Sequence, residues 1–324
     1  MRHRCGLAEG GRVIVAVSGG CDSVALLLAL HQLAGRRGWD LDIAAGHVQH
    51  HLRDAAEEDA RFVEDLVDRL DIPFLRADLD LPREGNLEAN ARQARYAALG
   101  SMAETFSADA VASAHSADDQ LETLLMRLLR GSSVRGLRGI AWRRRLDPDN
   151  PAGAALIRPM LGATRAHAAD FLRSRGQGWR EDPTNADLTR LRARLRHEVL
   201  PLLRDIQPAA AERAVHLAGH FRELSRLVDT EAERHHEHAL RDLDGAAVSL
   251  DRNEARMMPG VVLTTLLRRL LEEAGVPGDR LTRKALAPIT RAVRDQVGGE
   301  RRFDLARGVT VRVTRQEVEI LTGA

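Results

Sequence analysis

One stretch near the amino end limits the fold more than any other. It reads Val13-Ile14-Val15-Ala16-Val17, then Ser18-Gly19-Gly20-Cys21-Asp22-Ser23, then Val24-Ala25-Leu26-Leu27-Leu28-Ala29-Leu30. Five β-formers in an unbroken apolar run fit a strand covered on both faces, as in the middle of a parallel sheet. The glycine pair lets the backbone turn sharply and allows a ligand to approach the main chain. Asp22 or Ser23 can cap the helix that the next apolar run begins. A strand, a glycine turn and a helix N-terminus together offer unpaired N–H groups and a positive dipole end. That is an anion site, and phosphate is its usual guest. The plain alternative is a tight turn without a ligand, and the clustering of polar residues where the anion would sit argues against it.

The residue inventory narrows the kind of phosphate loop. A Walker loop needs a lysine next to its glycines, and the one lysine here, Lys284, stands far from any glycine loop. The dinucleotide pattern G-x-G-x-x-G is also missing. The pattern present, S-G-G-x-D-S, resembles the pyrophosphate loop of the ATP pyrophosphatases. In that superfamily ATP is split to AMP and pyrophosphate, and the AMP activates a carbonyl oxygen.

Downstream, strands and helices alternate. A second strand is expected at 41–47, running into His47-Val48-Gln49-His50-His51-Leu52-Arg53. An acidic amphipathic helix follows over 54–71, with Phe62, Leu66 and Leu70 on one face. A third strand is expected at 74–79 and a helix at 87–106 that carries Glu88, Arg92, Arg95 and Tyr96. Glu88 and Arg92 are spaced as an ordinary surface pair. A fourth strand at 110–114 leads into His115-Ser116-Ala117-Asp118-Asp119-Gln120-Leu121-Glu122-Thr123, with a helix over 118–130. A fifth strand lies at 154–159, and a helix starts at Thr164. This alternation predicts an α/β fold with a doubly wound parallel sheet. Ligands of such sheets bind off the carboxyl ends of the strands, where the polar clusters 18–23, 47–53 and 115–123 all fall.

Between Arg127 and Arg145 stand seven arginines, no acidic residue and three glycines. The run reads either as solvated surface or as an RNA-backbone contact made by guanidinium forks. Pro201 and Pro208 punctuate the chain, and a domain boundary is expected near 205–215. That gives a catalytic domain, 1–205, and a smaller, mostly helical domain with a short terminal β-sheet, 206–324. The second domain is expected to hold a long polar helix over 209–243, helices at 253–274 and 282–297, and strands at 302–305, 309–313 and 317–321. His235 and His238 have a spacing that helical metal ligands use, but a solvated histidine-rich face is the simpler reading.

Composition adds exclusions. With 48 basic and 47 acidic residues no global field marks a nucleic-acid binder, and 3% aromatics leave little for a stacking platform. Cys5 and Cys21 form neither a C-x-x-C pair nor a disulfide framework. No signal-like apolar core and no membrane-length apolar run occur, so a soluble cytoplasmic protein without a membrane partner is expected.

Taken together, these motifs resemble the bacterial tRNA(Ile)-lysidine synthetase family. Ser18-Gly19-Gly20-Cys21-Asp22-Ser23 is similar to its pyrophosphate loop, and His47-Val48-x-His50-x-Leu52-Arg53 to its second motif. Glu88…Arg92…Arg95-Tyr96 is similar to the third, and Ala114-His115-Ser116-Ala117-Asp118-Asp119-Gln120-Leu121-Glu122-Thr123 to the fourth. Arg130-Gly131…Gly136-Leu137 resembles the loop after it. Trp179…Glu181-Asp182-Pro183-Thr184-Asn185 with Arg192 and Arg196 resembles the closing motif. The likeness covers about 12–201, and the rest resembles the family's first carboxyl-terminal domain, with too little length for a second. Two departures stand out: Ser116 where the family often has a histidine, and Ala193 where an asparagine is common.

The resemblance implies a reaction in which ATP adenylates the C2 oxygen of the wobble cytidine of a tRNA(Ile) with a CAU anticodon. Free lysine then displaces AMP. It implies ATP held by Ser18, Gly19, Gly20, Cys21, Asp22 and Ser23, with Mg²⁺ on Asp22. Asp22, Arg95 and His115 are the expected catalytic residues, and Arg92 shares with Arg95 the candidacy for the α-phosphate. Lysine falls to Asp119 and Glu122, and tRNA to Arg130, Arg135, Arg138, Arg192 and Arg196. A homodimer is compatible with this reading. Two other readings share the first motif or part of it: another ATP pyrophosphatase, such as a tRNA thiolase or a small-molecule ligase, and a nucleotide-regulated RNA-binding module without catalysis.

Overall fold

The apolar run that opens the chain forms β1 (Arg12–Ala16), with Val13, Ile14 and Val15 fully buried. It is preceded by the short α1 (Arg2–Cys5) and followed by α2 (Cys21–Ala34). The chain continues through β2 (Asp42–Gln49), α3 (Ala56–Leu70), β3 (Phe74–Asp78), α4 (Leu87–Thr105), β4 (Ala110–Ala112) and α5 (Ala117–Leu129). Then come β5 (Arg143–Arg145), β6 (Ala155–Ile157) and α6 (Arg165–Arg173). The computed structural model describes residues 2–49, 56–79, 87–181, 191–238, 240–241, 247–295 and 299–323. His50, Leu52, Arg53 and the segment Asp182–Asn185 of the sequence motifs lie outside them.

The sheet order is β3-β2-β1-β4-β6-β5, and β1 pairs in parallel with both β2 and β4. Strand order therefore reverses at β1, which opens a crevice at the carboxyl ends of β1 and β4. Burial explains the unbroken apolar run. Val13 and Val15 pack with Leu26, Leu27, Val63 and Leu172 on one face of the sheet. Ile14 packs with Leu99, Met102, Val111 and Leu156 on the other. Each such side chain removed from water contributes about 1.5–3 kcal/mol, so both faces hold β1 at the centre.

The sheet departs from the expected parallel arrangement at one edge. Arg143–Arg145, read from sequence as part of a basic loop, forms β5, antiparallel to β6 with Arg144 opposite Leu156. Three arginines carry no intrinsic strand preference; the free edge of β6 supplies the hydrogen-bond partners.

Past the parallel domain, α7 (Leu191–Arg194) runs through one π turn, Leu195–Val199, into α8 (Leu200–Ile206), and α9 (Ala210–Glu237) follows. The chain divides into two compact units, residues 1–221 and 222–324, so this division falls inside α9, beyond the boundary expected near 205–215.

In the second unit, β7 (Leu240–Arg241) and β8 (Ala247–Asp251) precede α10 (Arg252–Met257), α11 (Gly260–Glu273) and α12 (Arg283–Arg294). The tail supplies β9 (Arg301–Asp304), β10 (Val309–Val313) and β11 (Glu317–Thr322), giving an antiparallel sheet of order β7-β8-β11-β10-β9. Two expectations change here. The helix expected over 253–274 is split, because Pro259 forces Met258 to ψ 143° and ends α10. The terminal sheet gains β7 and β8, which sequence reasoning did not foresee. Arg252, 6% exposed, ties this unit together by donating to the carbonyls of Ala292, Val293, Asp295 and Thr314. Among the described residues no helix is long and apolar enough to cross a membrane.

Candidate active site

The loop between β1 and α2 is built around backbone conformation. Gly19 has φ +82°, where any side chain is strained. Gly20 is the N-cap of α2, and no side chain caps that helix end, which leaves its first-turn N–H groups to a ligand. Ser23 braces the loop from within: its buried hydroxyl accepts from the Ser18 amide at 3.1 Å and donates to the Gly20 carbonyl at 2.9 Å. Cys21 points into the core at 3% exposure, so it can offer a phosphate only its main-chain N–H. His47 donates through Nδ1 to the Val17 carbonyl at 2.8 Å. Burial pushes that imidazole below its ordinary value, although the Val17 bond opposes the shift.

Asp22 differs from its neighbours. Burial pushes its carboxyl up to about 6, with Arg165 opposing and Asp119 adding to the shift. Its Oδ1 is buried without a hydrogen-bond partner. A carboxylate oxygen left orphaned beside uncapped N–H groups has the chemistry of a hard-cation ligand. Mg²⁺ fits, since it takes one or two carboxylates and fills the rest of its shell with water and phosphate oxygens. The described residues hold no group of three or more ligating side chains that would make an all-protein cage.

The second cluster lies at the start of α5. Ser116 is its N-cap, and Asp119 reaches back to accept from the Ser116 amide at 2.8 Å and its hydroxyl at 3.1 Å. The other Asp119 oxygen accepts from Arg192 at 2.8 Å and Arg196 at 3.2 Å. Glu122, with no exposed surface, accepts from Arg192 Nε at 2.8 Å and from Arg196 Nε at 2.6 Å. Burial alone would raise the Asp119 carboxyl, but the neighbouring His115, the Ser116 amide and the two guanidiniums hold it below its ordinary value. The carboxylates expected to hold lysine and two of the arginines expected to hold tRNA are thus bonded to each other.

His115 precedes this helix, with Nδ1 3.0 Å from the Ser113 hydroxyl. Burial pushes its imidazole far down, with Asp119 opposing, so the ring is neutral near pH 7. Arg95 lies on α4 beside Tyr96, and its charge helps to lower the His115 imidazole.

The arginine run sorts into two kinds. Arg127 donates to the carbonyls of Gly136 and Gly139, Arg143 to that of Cys5 at 3.0 Å, and Arg144 to that of Arg145 at 2.7 Å. Arg138 donates to the Arg135 carbonyl at 3.1 Å, while Arg130, Arg135 and Arg145 are exposed.

Sequence reasoning assigned no role to three residues that hold the site together. Gln120, fully buried, accepts from the Ile140 amide at 2.6 Å, and a Cβ on Gly139 would collide with it. Asp118 accepts from the Arg165 amide at 2.7 Å and from Arg204 at 2.8 Å. Arg180 donates its amide to the Gly19 carbonyl at 2.9 Å and its side chain to Asp59 at 3.0 Å. Gln120 and Asp118 stand inside the Asp-Asp-Gln-Leu-Glu-Thr motif, the one sequence signal that pointed to them.

Residues 3–203 match the PP-loop domain family. The chain belongs to that family. The tRNA(Ile)-lysidine synthase of Geobacter sulfurreducens is 40% identical over 236 residues, covering 70% of this PP-loop chain and 48% of that protein. The tRNA(Ile)-lysidine synthase of Symbiobacterium thermophilum is 41% identical over 229 residues, covering 68% and 46%. The chain spans about half the length of these relatives. Among solved structures, the U34-tRNA thiolase NcsA of Methanococcus maripaludis superimposes with a TM-score of 0.57 at 14% identity, over 68% of this chain and 77% of that one. At that identity the likeness shows a shared fold.

Proposed function

We propose that this PP-loop chain makes lysidine on tRNA(Ile). ATP adenylates the C2 oxygen of the wobble cytidine and releases pyrophosphate; the ε-amine of lysine then attacks C2, and the oxygen leaves with AMP. What supports the reading is the name shared by the relatives above, joined to one observation. An uncapped phosphate loop with an orphaned carboxylate stands at the same sheet edge as a buried pair of carboxylates facing two arginines.

In this reading the Ser18 hydroxyl and the main chain of Gly19 and Gly20 donate to the departing pyrophosphate as charge develops, and Ser23 keeps the loop in shape. Asp22 would hold Mg²⁺, which would supply neutralising charge to the phosphates. Arg95 or Arg92 neutralises the α-phosphate. Neutral His115 serves as a hydrogen-bonding group and not as a cation. Glu122 and Asp119 receive lysine ammonium groups, which requires lysine to enter a cluster already balanced by Arg192 and Arg196. Exposed Arg130 and Arg135 meet RNA phosphates, with Arg138 beside them. Chain Cys5 and Cys21 are both buried and apart in sequence, which disfavours a thiolase with a thiolate-held cluster.

The test is pyrophosphate release measured with ATP alone, with RNA added, and with RNA and lysine, alongside the mass of the anticodon loop. Release that needs the RNA, with a lysine-dependent mass gain on the wobble cytidine, is the expected result. Release without RNA, or an unmodified loop, would overturn the proposal.

A further inference from the structure

Two adjacent glycines in the PP loop leave one main-chain direction undecided by the loop itself. The neighbouring groups are held by β2 or by Ser23. The Val17 amide donates to the Gly46 carbonyl at 2.9 Å, and the Val17 carbonyl accepts from His47. The Ser18 amide donates to Ser23, and the Gly20 carbonyl accepts from the Ser23 hydroxyl and from the Val24 amide at 3.0 Å. The peptide between Gly19 and Gly20 has one anchor among the described residues: its carbonyl accepts from the Arg180 amide at 2.9 Å. In a trans peptide the carbonyl and the N–H that follows it point in opposite directions. The bond to Arg180 therefore turns the Gly20 N–H away from residue 180, at the uncapped start of α2. Because glycine stands on both sides, the reverse orientation is sterically open as well. That flip would aim a carbonyl oxygen at the phosphates and remove one donor to the developing charge.

The anchor belongs to a stretch with little stiffness of its own. Gly176 has φ +63°, and Gly178 follows before Trp179 and Arg180. Two side chains seat it. Trp179 packs against the apolar core on the α2 face of the sheet. Arg180 donates from Nε to Asp59 at 3.0 Å and from Nη2 to Glu58 at 2.7 Å, both in the first turn of α3. The same helix supplies Phe62 and Val63, and a Cβ on Gly19 would lie 3.6 and 3.7 Å from them and 3.6 Å from the Arg180 side chain. The loop is thus seated between α3 and the 176–180 stretch, and Arg180 bonds to both the loop and the helix.

We infer that Arg180 is a positioning residue for the activation step: tethered to Asp59 and Glu58, it holds the Gly19 carbonyl so that the Gly20 N–H stays turned into the anion site. Two carboxylates engage its guanidinium, so it serves the anion through its main chain and not through its charge. The inference rests on the lysidine reading for the reaction it serves, whereas the orientation of the Gly19–Gly20 peptide is a property of the loop.

The experiment compares the full wild-type chain with Arg180→Ala, Arg180→Lys and Asp59→Ala. RNA-dependent pyrophosphate release gives kcat and the KM for ATP, and thermal melting reports the fold. A donor that faces charge building up on the departing pyrophosphate acts on kcat more than on KM. Arg180→Ala should lower kcat about tenfold, the population ratio that one net hydrogen bond sets, and change KM by less than about twofold. Its melting temperature should stay within about 4 °C of wild type. Arg180→Lys keeps a cation for Asp59 and should recover most of the loss. Asp59→Ala withdraws the tether from the other side and should reproduce part of it, and it carries the same test if Arg180→Ala does not fold. A folded Arg180→Ala with normal kcat would overturn the inference, and so would a loss of kcat that only tracks a loss of folded protein. A wild-type chain that releases no pyrophosphate with RNA would overturn the lysidine reading instead. Binding of inorganic pyrophosphate then tests the anchor alone: Arg180→Ala should bind it about tenfold more weakly, and equal binding would overturn the inference.

Discussion

The PP loop and the cluster at the start of α5 sit at one sheet edge but are built in opposite ways. The loop uses small residues and main-chain donors, and leaves one carboxylate oxygen, Asp22 Oδ1, without a partner. The α5 cluster uses long side chains, and every charge in it is matched: Glu122 and Asp119 by Arg192 and Arg196, Asp118 by Arg204. A site held open for a ligand costs stability, whereas a paired cluster contributes to it. Substitutions in the two places should therefore separate activity from stability in different directions.

The largest effect is expected at the loop. Asp22→Asn and Ser18→Ala should each slow adenylation by about 10²–10³-fold, the usual loss when one preorganised group facing developing charge is removed. Asp22→Asn should also stabilise the fold. In the folded chain the Asp22 carboxyl titrates near 6 against an ordinary 3.8, so the folded state holds its proton more tightly than the unfolded one. Stability contributed by Asp22 therefore falls as pH rises from 3.8 towards 6, and the penalty persists above that window. Melting of Asp22→Asn should match wild type in acid and gain about 3 kcal/mol near neutrality. An Asn variant that is less stable at pH 7 would show that Asp22 is a structural brace.

At the paired cluster the sign reverses. Glu122→Ala leaves two arginines facing a buried void and should cost about 3 kcal/mol, as breaking a buried ion pair does. Denaturant unfolding measures it; a loss within experimental scatter of zero would mean the cluster is no tighter than a surface pair.

The smallest effects distinguish the two kinds of arginine. Arg127→Ala and Arg143→Ala, which lose bonds to main-chain carbonyls, should each lower stability by about 1 kcal/mol. Arg130, Arg135 and Arg145 changed to alanine should leave the melting temperature alone. They should flatten the salt dependence of RNA binding by about 0.7–0.9 in log–log slope per contact. If both sets behave alike, the division drawn from their hydrogen bonds fails.

How much of this was legible in the sequence follows from how local each feature is. The strand, glycine turn and helix at 13–30 lie within one short stretch, and the apolar run of β1 announces cover on both faces. The carboxyl-end position of the 18–23 and 115–123 clusters follows from strand–helix alternation alone. By contrast, β5 is Arg-Arg-Arg and exists because β6 has an open edge. Pro259 marks the break within the chain, but the apolar periodicity on either side of it favours one continuous helix. The partners of Glu122 stand 70 and 74 residues further on, and no spacing within α5 points to them. Sequence alone therefore separates the closing-motif arginines, as RNA contacts, from these acids, as lysine contacts, whereas the fold brings them together.

The central claim is that activation belongs to the PP loop and lysine use to the α5 cluster. Glu122→Gln keeps the shape of the side chain and removes its charge, so it tests that claim most directly. Adenylated RNA and lysidine should be quantified separately in this variant, at a temperature where it is folded. A lost charge-assisted bond of about 1.5–3 kcal/mol predicts roughly 10- to 150-fold weaker use of lysine, with adenylated RNA accumulating. Loss of adenylation in Glu122→Gln, as in Asp22→Asn, would contradict the division of labour. So would normal lysine use.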